Sequence, residues 1–497
     1  MAGIGFELKK LFNKKGYLPN IAAYFYSAMV TVGPMIICMS VIVFSNIYLT
    51  DIGVPKSDIE LLIATIVYAF IFSIIITGGF VYILSRYISD NIFEGRFGRI
   101  LPSFYGSQIV ILLLSGVIGF VFLSFSPFDA FHKILSYLLF VEISILWIEM
   151  VYISALRNYT KILKGFFTGA LILIALTLAF TRLTGLNAVK SSLLSINIGF
   201  FYIILSFAIY IKQFYFHFES GIFKFIGYFK KHSTLFLIGL FITLGAYVHI
   251  IIFWFGKSSI VAGGFLRNCP LYDVPMFYSI LTVIPAMVLF VVSVETHFYG
   301  KYRAYYSLII NGGTIREIKM AKDEMIEVLV QQITYIMELQ LFISFLSITI
   351  GVRLLPYIGF TRAWTDTFSI LVLGSFLYII MVIVVLIMLY FDDKNGALAV
   401  GLVFFTSNAA FTLVFLLLGD NFIGAGYFVG SFISLSVAFI RLRYFLKNID
   451  FYTYCKQPLY SVTKPAGFRR RAGTMSKMID IKFKGPVIGD TDKNLQK

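Results

Sequence analysis

Charge is what this sequence has least of. Only 13% of its 497 residues are Asp, Glu, Lys or Arg, against 59% apolar, where a soluble domain carries about a quarter charged residues. That shortage excludes a water-soluble globular chain. Cysteine is scarce as well: Cys38, Cys269 and Cys455 stand far apart with no metal or redox spacing, so neither a disulfide framework nor a metal site is expected. No P-loop, HExxH pair or GxSxG elbow occurs, which leaves nucleotide, metalloprotease and serine-hydrolase chemistry without support. No loop is long enough to hold a nucleotide-binding domain. A catalytic residue, a metal and a cofactor are therefore all left unassigned, and the chain reads as a non-enzyme. The opening MAGIGFELKKLFNKKG lacks the apolar run and cleavage site of a signal peptide, so the first span is expected to be retained.

Long apolar runs are abundant. A hydrocarbon core of about 30 Å takes roughly 20 apolar residues to cross as a helix, and such runs fall at 21–49, 59–85, 104–125, 134–156, 162–182, 189–211, 233–255, 275–298, 329–352, 367–391, 397–418 and 424–446. They are continuous, whereas barrel strands alternate over about ten residues. The expectation is an all-α integral membrane protein of about twelve transmembrane helices. It divides into an interfacial amphipathic leader (1–17), a six-helix lobe (18–211), a polar connector (212–232), a second six-helix lobe (233–446) and a basic, disordered tail (447–497). Two such lobes suit an alternating-access carrier, although no internal sequence repeat is visible. Between the eighth and ninth spans, 299–328 has room for one charged amphipathic helix.

The net charge of +16 is sorted by side. Of the 41 Lys and Arg, only Lys56, Lys133, Arg182, Lys190, Lys257, Arg267, Arg353 and Arg362 fall in the loops opposite the N-terminus. By the positive-inside rule both termini are cytoplasmic. The basic charge is thus chiefly a topology signal: it fits a protein or anionic-lipid partner at the inner face and gives no reason to invoke nucleic acid.

Ionisable residues inside the spans carry the functional signal, because a charge at the bilayer centre costs about 2.5–3.5 kcal/mol on insertion scales. Glu142 and Glu149 lie seven residues apart on nearly one face of the fourth span, with Arg157 near that face at its end. They either line a pathway or carry a coupling proton, or else pair with another helix and fix packing. Glu295 in the eighth span, and Gln331 with Glu338 in the ninth, form a second set that an interfacial position also explains. His249 reads as a packing residue, Arg86 as an anchor at the membrane surface, and Asp392 with Asp393 as solvated loop charges. Gly33 and Pro34, Gly78 and Gly79, and Pro285 mark places where helix continuity weakens and hinges can form, close packing being the alternative for the glycine pair. Arg469, Arg470 and Arg471 are candidates for docking a partner. The 31 Tyr and 54 Phe hint at stacking on sugar rings, against belts and lipid-facing surface as the ordinary explanation.

Two stretches carry a family resemblance: TGGFVYILSRYISDNIFEGRFGRILPSF from Thr77 and CPLYDVPMFYSILTVIPAMVLFVVSVETHFYGKYRAYYSLIINGGTIREIKMAKDEM from Cys269. With MAGIGFELKKLF, the GP of the first span and YFDD before the eleventh, they resemble the Pel exopolysaccharide transporter family (PelG) from Met1 to about Phe445. The tail lies beyond that core. The resemblance implies a fold similar to the multidrug/oligosaccharidyl-lipid/polysaccharide flippases. It also implies a place in the bacterial inner membrane, exporting an N-acetylgalactosamine-rich, partly deacetylated biofilm polysaccharide by synthase-dependent secretion. Implied partners are a cytoplasmic glycosyltransferase (PelF-like), a cyclic di-GMP-sensing membrane subunit (PelD-like) and a PelE-like subunit. Two other readings stay open: a flippase for lipid-linked oligosaccharides, and a membrane scaffold that anchors the synthase without a pathway of its own.

Overall fold

Helices make up nearly all of what the computed structural model describes, namely residues 43–156, 159–183, 185–293, 297–419 and 422–455. Among these residues eleven helical spans are long and apolar enough to cross a membrane. They fall where the second to twelfth apolar runs place them. The first run is described only over 43–49, which is helical. The leader at 1–17, Gly33, Pro34, Arg157, Glu295, and Arg469, Arg470 and Arg471 of the tail lie outside the described residues.

In chain order the helices are α1 (Lys56–Phe93), α2 (Ile100–Ser124), α3 (Ala130–Ala155), α4 (Tyr159–Leu183), α5 (Ala188–Phe214), the short α6 (Ile226–Lys231) and α7 (Ser233–Trp254). A small hairpin, β1 (Ile260–Ala262) with β2 (Leu266–Asn268), follows. Then come α8 (Pro270–Leu281), α9 (Ile284–Ser293), α10 (Tyr299–Asn311), α11 (Ile315–Leu354), α12 (Arg362–Tyr390), α13 (Lys394–Leu418), α14 (Ala425–Lys447) and α15 (Ile449–Tyr454). Starts are set locally: the side chains of Asn187, Thr361 and Asp393 accept backbone N–H bonds that begin α5, α12 and α13, and Thr314 with Glu317 forms a full capping box on α11.

Helices α1 to α5 pack among themselves, as do α7 to α14, and the closest joint between the two sets is α1 on α7. Small residues allow it. A methyl added at Gly78 would stand 2.5 Å from Thr243 Oγ1, and one at Gly79 would stand 2.8 Å from the Phe236 carbonyl. Gly239 of α7 faces the Gly78 carbonyl in return. In lipid, where apolar surface gives no drive to associate, such close backbone approach is what holds helices together. The lipid-type surface is plain on α2, which leaves Leu113, Val117 and Phe120 well exposed.

Three features refine the sequence reading. The eighth run is two helices, α8 and α9, with a break at Thr282 and Val283. The 299–328 segment is a helical hairpin, since α11 starts at Ile315 and runs 40 residues without interruption into the ninth span. The connector at 212–232 is fastened down: the Glu219 N–H bonds the Gly98 carbonyl at 2.9 Å and its carboxylate pairs with Arg99 at 3.1 Å. At the opposite end the β-hairpin turns through Gly263 and Gly264, both in the left-handed region. It is bound to α1 by Tyr68, whose hydroxyl donates to the Arg267 carbonyl (2.9 Å) and accepts from the Arg267 N–H (3.0 Å).

Candidate functional site

Pro285 has no N–H, so the Leu281 carbonyl four residues earlier loses its helical donor and the chain there cannot stay regular. The break lies just before it, and a neighbouring helix fills it. Gln340, a fully buried residue of α11, accepts from the Ala286 N–H through Oε1 (3.2 Å) and donates through Nε2 to the Thr282 carbonyl (2.8 Å). Thr282 and Ala286 are the pair that would bond each other in an unbroken helix. One side-chain amide has been inserted into that rung, a recognised cause of a sharp kink. Irregular backbone at membrane depth is tolerated where protein satisfies it, and Gln340 does so here.

Glu142 and Glu149 lie two turns apart on α3, about 10 Å along its axis at 1.5 Å per residue. Glu149 is 1% exposed and Glu142 half-buried. The Oε2 of each is buried without a hydrogen-bond partner. Other polar side chains of α3 bond its neighbours. On α3, Trp147 donates to Ser73 of α1 (3.0 Å), and Tyr152 exchanges bonds with Ser103 and Ser107 of α2 at 3.2 Å. Gln108, next to Ser107, also has both side-chain polar atoms buried and unpartnered. An intramembrane carboxyl in this state is a functional candidate by its cost alone.

The rest of the expected set is placed as follows. Glu338 and Gln331 lie on the exposed face of α11, the buried face being Leu329, Ile333, Ile336, Gln340 and Ser344. Gly78 and Gly79 sit inside an unbroken α1 and make its contact with α7. His249 is buried and takes a 2.6 Å bond with the Tyr272 hydroxyl at Nδ1, with the Tyr427 ring 4.4 Å away. Asp393 departs from the expectation of a solvated charge. Its side chain is 1% exposed, and Arg441 of α14 donates to both of its oxygens at 2.8 Å. Asp392 does stay exposed, at φ 58°, where it meets Lys394 and, at 3.8 Å, Arg86 of α1. The described residues hold no group of three metal-ligating side chains.

Gln340, Gln108 and Asp273 are interior polar residues that a search for charge in the spans passed over. Asp273 opens α8 and accepts from the Trp254 indole (3.0 Å) and the Cys269 N–H (2.9 Å), leaving Oδ1 buried and unpartnered. For Gln340 a signal existed: it is an amide in step, at three- and four-residue spacings, with the apolar stripe of Ile333 and Ile336. Near the β-hairpin an almost wholly apolar cavity of about 140 Å³ opens between α1, α2 and α3, lined by Thr65, Tyr68, Phe72, Phe122, Phe140 and Leu266.

Solved structures share this arrangement of helices. A MATE transporter from Vibrio cholerae superposes with a TM-score of 0.61 at 14% identity, over 90% of this chain and 99% of its own. An outward-facing multidrug resistance MATE transporter of the MOP superfamily gives 0.57 at 15% identity, over 85% and 96%. A MOP superfamily transporter from Pyrococcus furiosus gives 0.52 at 14%, over 85% and 96%. These identities establish the fold and nothing finer. No curated protein matches the sequence. The family match is to the sequence itself, running over residues 1–454, and its description is "Putative exopolysaccharide Exporter (EPS-E)". With every described helix inside that range, this multi-pass membrane chain belongs to the PelG family of exopolysaccharide exporters.

Proposed function

We propose that this chain is the inner-membrane translocator through which an exopolysaccharide of the Pel type, rich in N-acetylgalactosamine, leaves a bacterial cell while a cytoplasmic glycosyltransferase makes it. The observation that carries the reading is the exporter-family match over residues 1–454, which takes in every described helix. In this reading twelve spans form two six-helix lobes with both termini in the cytoplasm, and the basic inner face meets the glycosyltransferase and the cyclic di-GMP-sensing and PelE-like subunits. The fold supports movement between the lobes. A span broken at Thr282 and bridged by Gln340 is the kind of discontinuity that transporters place at their substrate path.

The test is export itself. Deleting the chain should abolish secreted polymer while the glycosyltransferase still makes it inside the cell, and restoring the chain should restore secretion. Secretion that persists without the chain would overturn the proposal. Glu142→Gln and Glu149→Gln then separate two driving forces: loss of export by stably inserted variants indicates coupling to an ion, and normal export indicates that polymer growth pushes the chain through.

A second reading, flipping of lipid-linked oligosaccharides, gains support from the apolar cavity beside Phe72 and Phe140, which suits a hydrocarbon chain. Lipid-linked repeat units accumulating on the inner leaflet after deletion would favour it.

A further inference from the structure

The apolar cavity beside the β-hairpin is walled by aromatic rings on all sides but one. Leu266 of β2 lines it on the hairpin side, and the neighbouring Phe265 ring packs on Phe122 of α2 (centroids 5.2 Å) and on Phe128 in the α2–α3 loop (6.1 Å). Its back wall is Tyr68 and Phe72 of α1, whose rings lie 4.3 Å and 6.4 Å from the ring of Trp254 on α7. Trp254 is buried and its indole is held by Asp273. The cavity is therefore blind toward α7.

The open side meets the surface that faces hydrocarbon. Ile118 and Phe122 line the cavity and are at the same time 40% and 39% exposed among the described residues, on the α2 surface that also carries Val117 and Phe120. Polar groups are committed elsewhere. The Thr65 hydroxyl donates to the Leu61 carbonyl (2.8 Å), that of Tyr68 is bonded twice to the Arg267 backbone, and the Ser136 oxygen is buried. A water in a cavity needs two to four polar partners, and apolar cavities of about 150 Å³ exclude water and take a benzene ring instead. At about 140 Å³ this space is of that size, and left empty it would deprive its walls of van der Waals contact.

We propose that this cavity is a binding site for one acyl chain of a bilayer phospholipid, which enters beside Ile118 and Phe122 and lies against Phe72 and Phe140 under the hairpin. Its volume admits about the six carbons of the ring that such cavities take, so it holds a segment of the chain while the headgroup stays in the lipid layer. Hydrocarbon is exchanged for hydrocarbon, and the gain is packing against fixed rings. The seated chain touches the hairpin, α1, α2 and α3 together, and it leaves by the side through which it came because Trp254 backs the far wall. An ordinary phospholipid surrounds the chain whatever cargo crosses, so the inference goes beyond both readings of function and depends on neither.

The full chain is placed in phosphatidylcholine nanodiscs in which part of the lipid carries a photoreactive diazirine along one acyl chain. After irradiation the adducts are mapped by mass spectrometry. They are expected on Leu123 and Phe140, which are buried and line the cavity, as well as on Val117 and Phe120 of the open α2 surface. Ala69→Leu puts a larger side chain into the space and should remove the Leu123 and Phe140 adducts while leaving those on Val117 and Phe120 unchanged. Ser136→Leu fills it from α3 and should do the same. A wild type labelled on Val117 and Phe120 alone would overturn the site, as would a filled variant that keeps its Phe140 adduct. The wild-type map decides even where both variants fail to insert, and loss of the site would leave the export proposal standing.

Discussion

Replacing Gln340 by Met keeps the side chain's length and volume while removing both bonds across the α8–α9 break. Two backbone groups are then at stake, the Ala286 N–H and the Thr282 carbonyl. A buried group left unbonded costs about 1–3 kcal/mol. Hydrogen bonds between membrane helices average only about 0.6 kcal/mol, because the unfolded reference state also finds partners. Which figure applies depends on whether α8 and α9 can close into one helix and let Thr282 bond Ala286 directly. Pro285 opposes closure, since its ring clashes with the carbonyl four residues back, so the larger figure should prevail. The expected loss is about 2 kcal/mol for the two groups together. Denaturant unfolding of the purified protein measures it, and hydrogen exchange at the Ala286 amide should quicken in parallel. The double variant Gln340→Met with Pro285→Ala should recover most of the loss, because the rung can then form; this coupling is what a double-mutant cycle isolates. Wild-type unfolding and unchanged Ala286 exchange in Gln340→Met would refute the reasoning.

Gly239→Ala should destabilise by roughly 1–3 kcal/mol, the cost of overpacking, because its methyl meets the Gly78 backbone, which cannot swing aside. Gly227→Ala on α6, with open space around it, should be neutral in the same melting experiment. Arg441→Ala strands the buried Asp393 carboxylate and should cost about 3–5 kcal/mol, a loss that added salt barely changes because the carboxylate is shielded from solvent. His232 is held below the usual imidazole range by burial and then by Lys394, Arg86 and Lys231, with Asp90 acting the other way. Its stability contribution is therefore present above the unfolded value of about 6.5 and lost as pH falls through the lower folded value. His232→Gln should flatten thermal stability between pH 7 and 5, and an unchanged slope would count against this account.

The helices were legible because each apolar run is as long as a membrane is thick, and length alone fixes that match. What the runs do not encode is interruption. The 275–298 run stays apolar straight through the break, and Pro285 marks its neighbourhood without saying that α11 supplies the missing bonds. Partners distant in sequence were equally hidden: Asp393 reads as a loop charge until Arg441, 48 residues away, is folded onto it. At the candidate site, Glu142 and Glu149 stood out because charge inside a span is rare. Gln340 did not, because it carries no charge to mark it, although its amide can mend a helix.

The length of α11 has a mechanical consequence. Its first fourteen residues lie ahead of the apolar run and extend the helix by roughly 20 Å at 1.5 Å per residue. They are braced along one side by α10, and Lys322 near that end grips Asp450 of α15 at 2.8 Å. A stiff rod clamped in the bilayer acts as a lever: tilting it by about 15° sweeps a 20 Å arm through roughly 5 Å. A protein that takes hold of the arm's tip could in this way transmit torque to Gln340 and the broken span without touching the polymer.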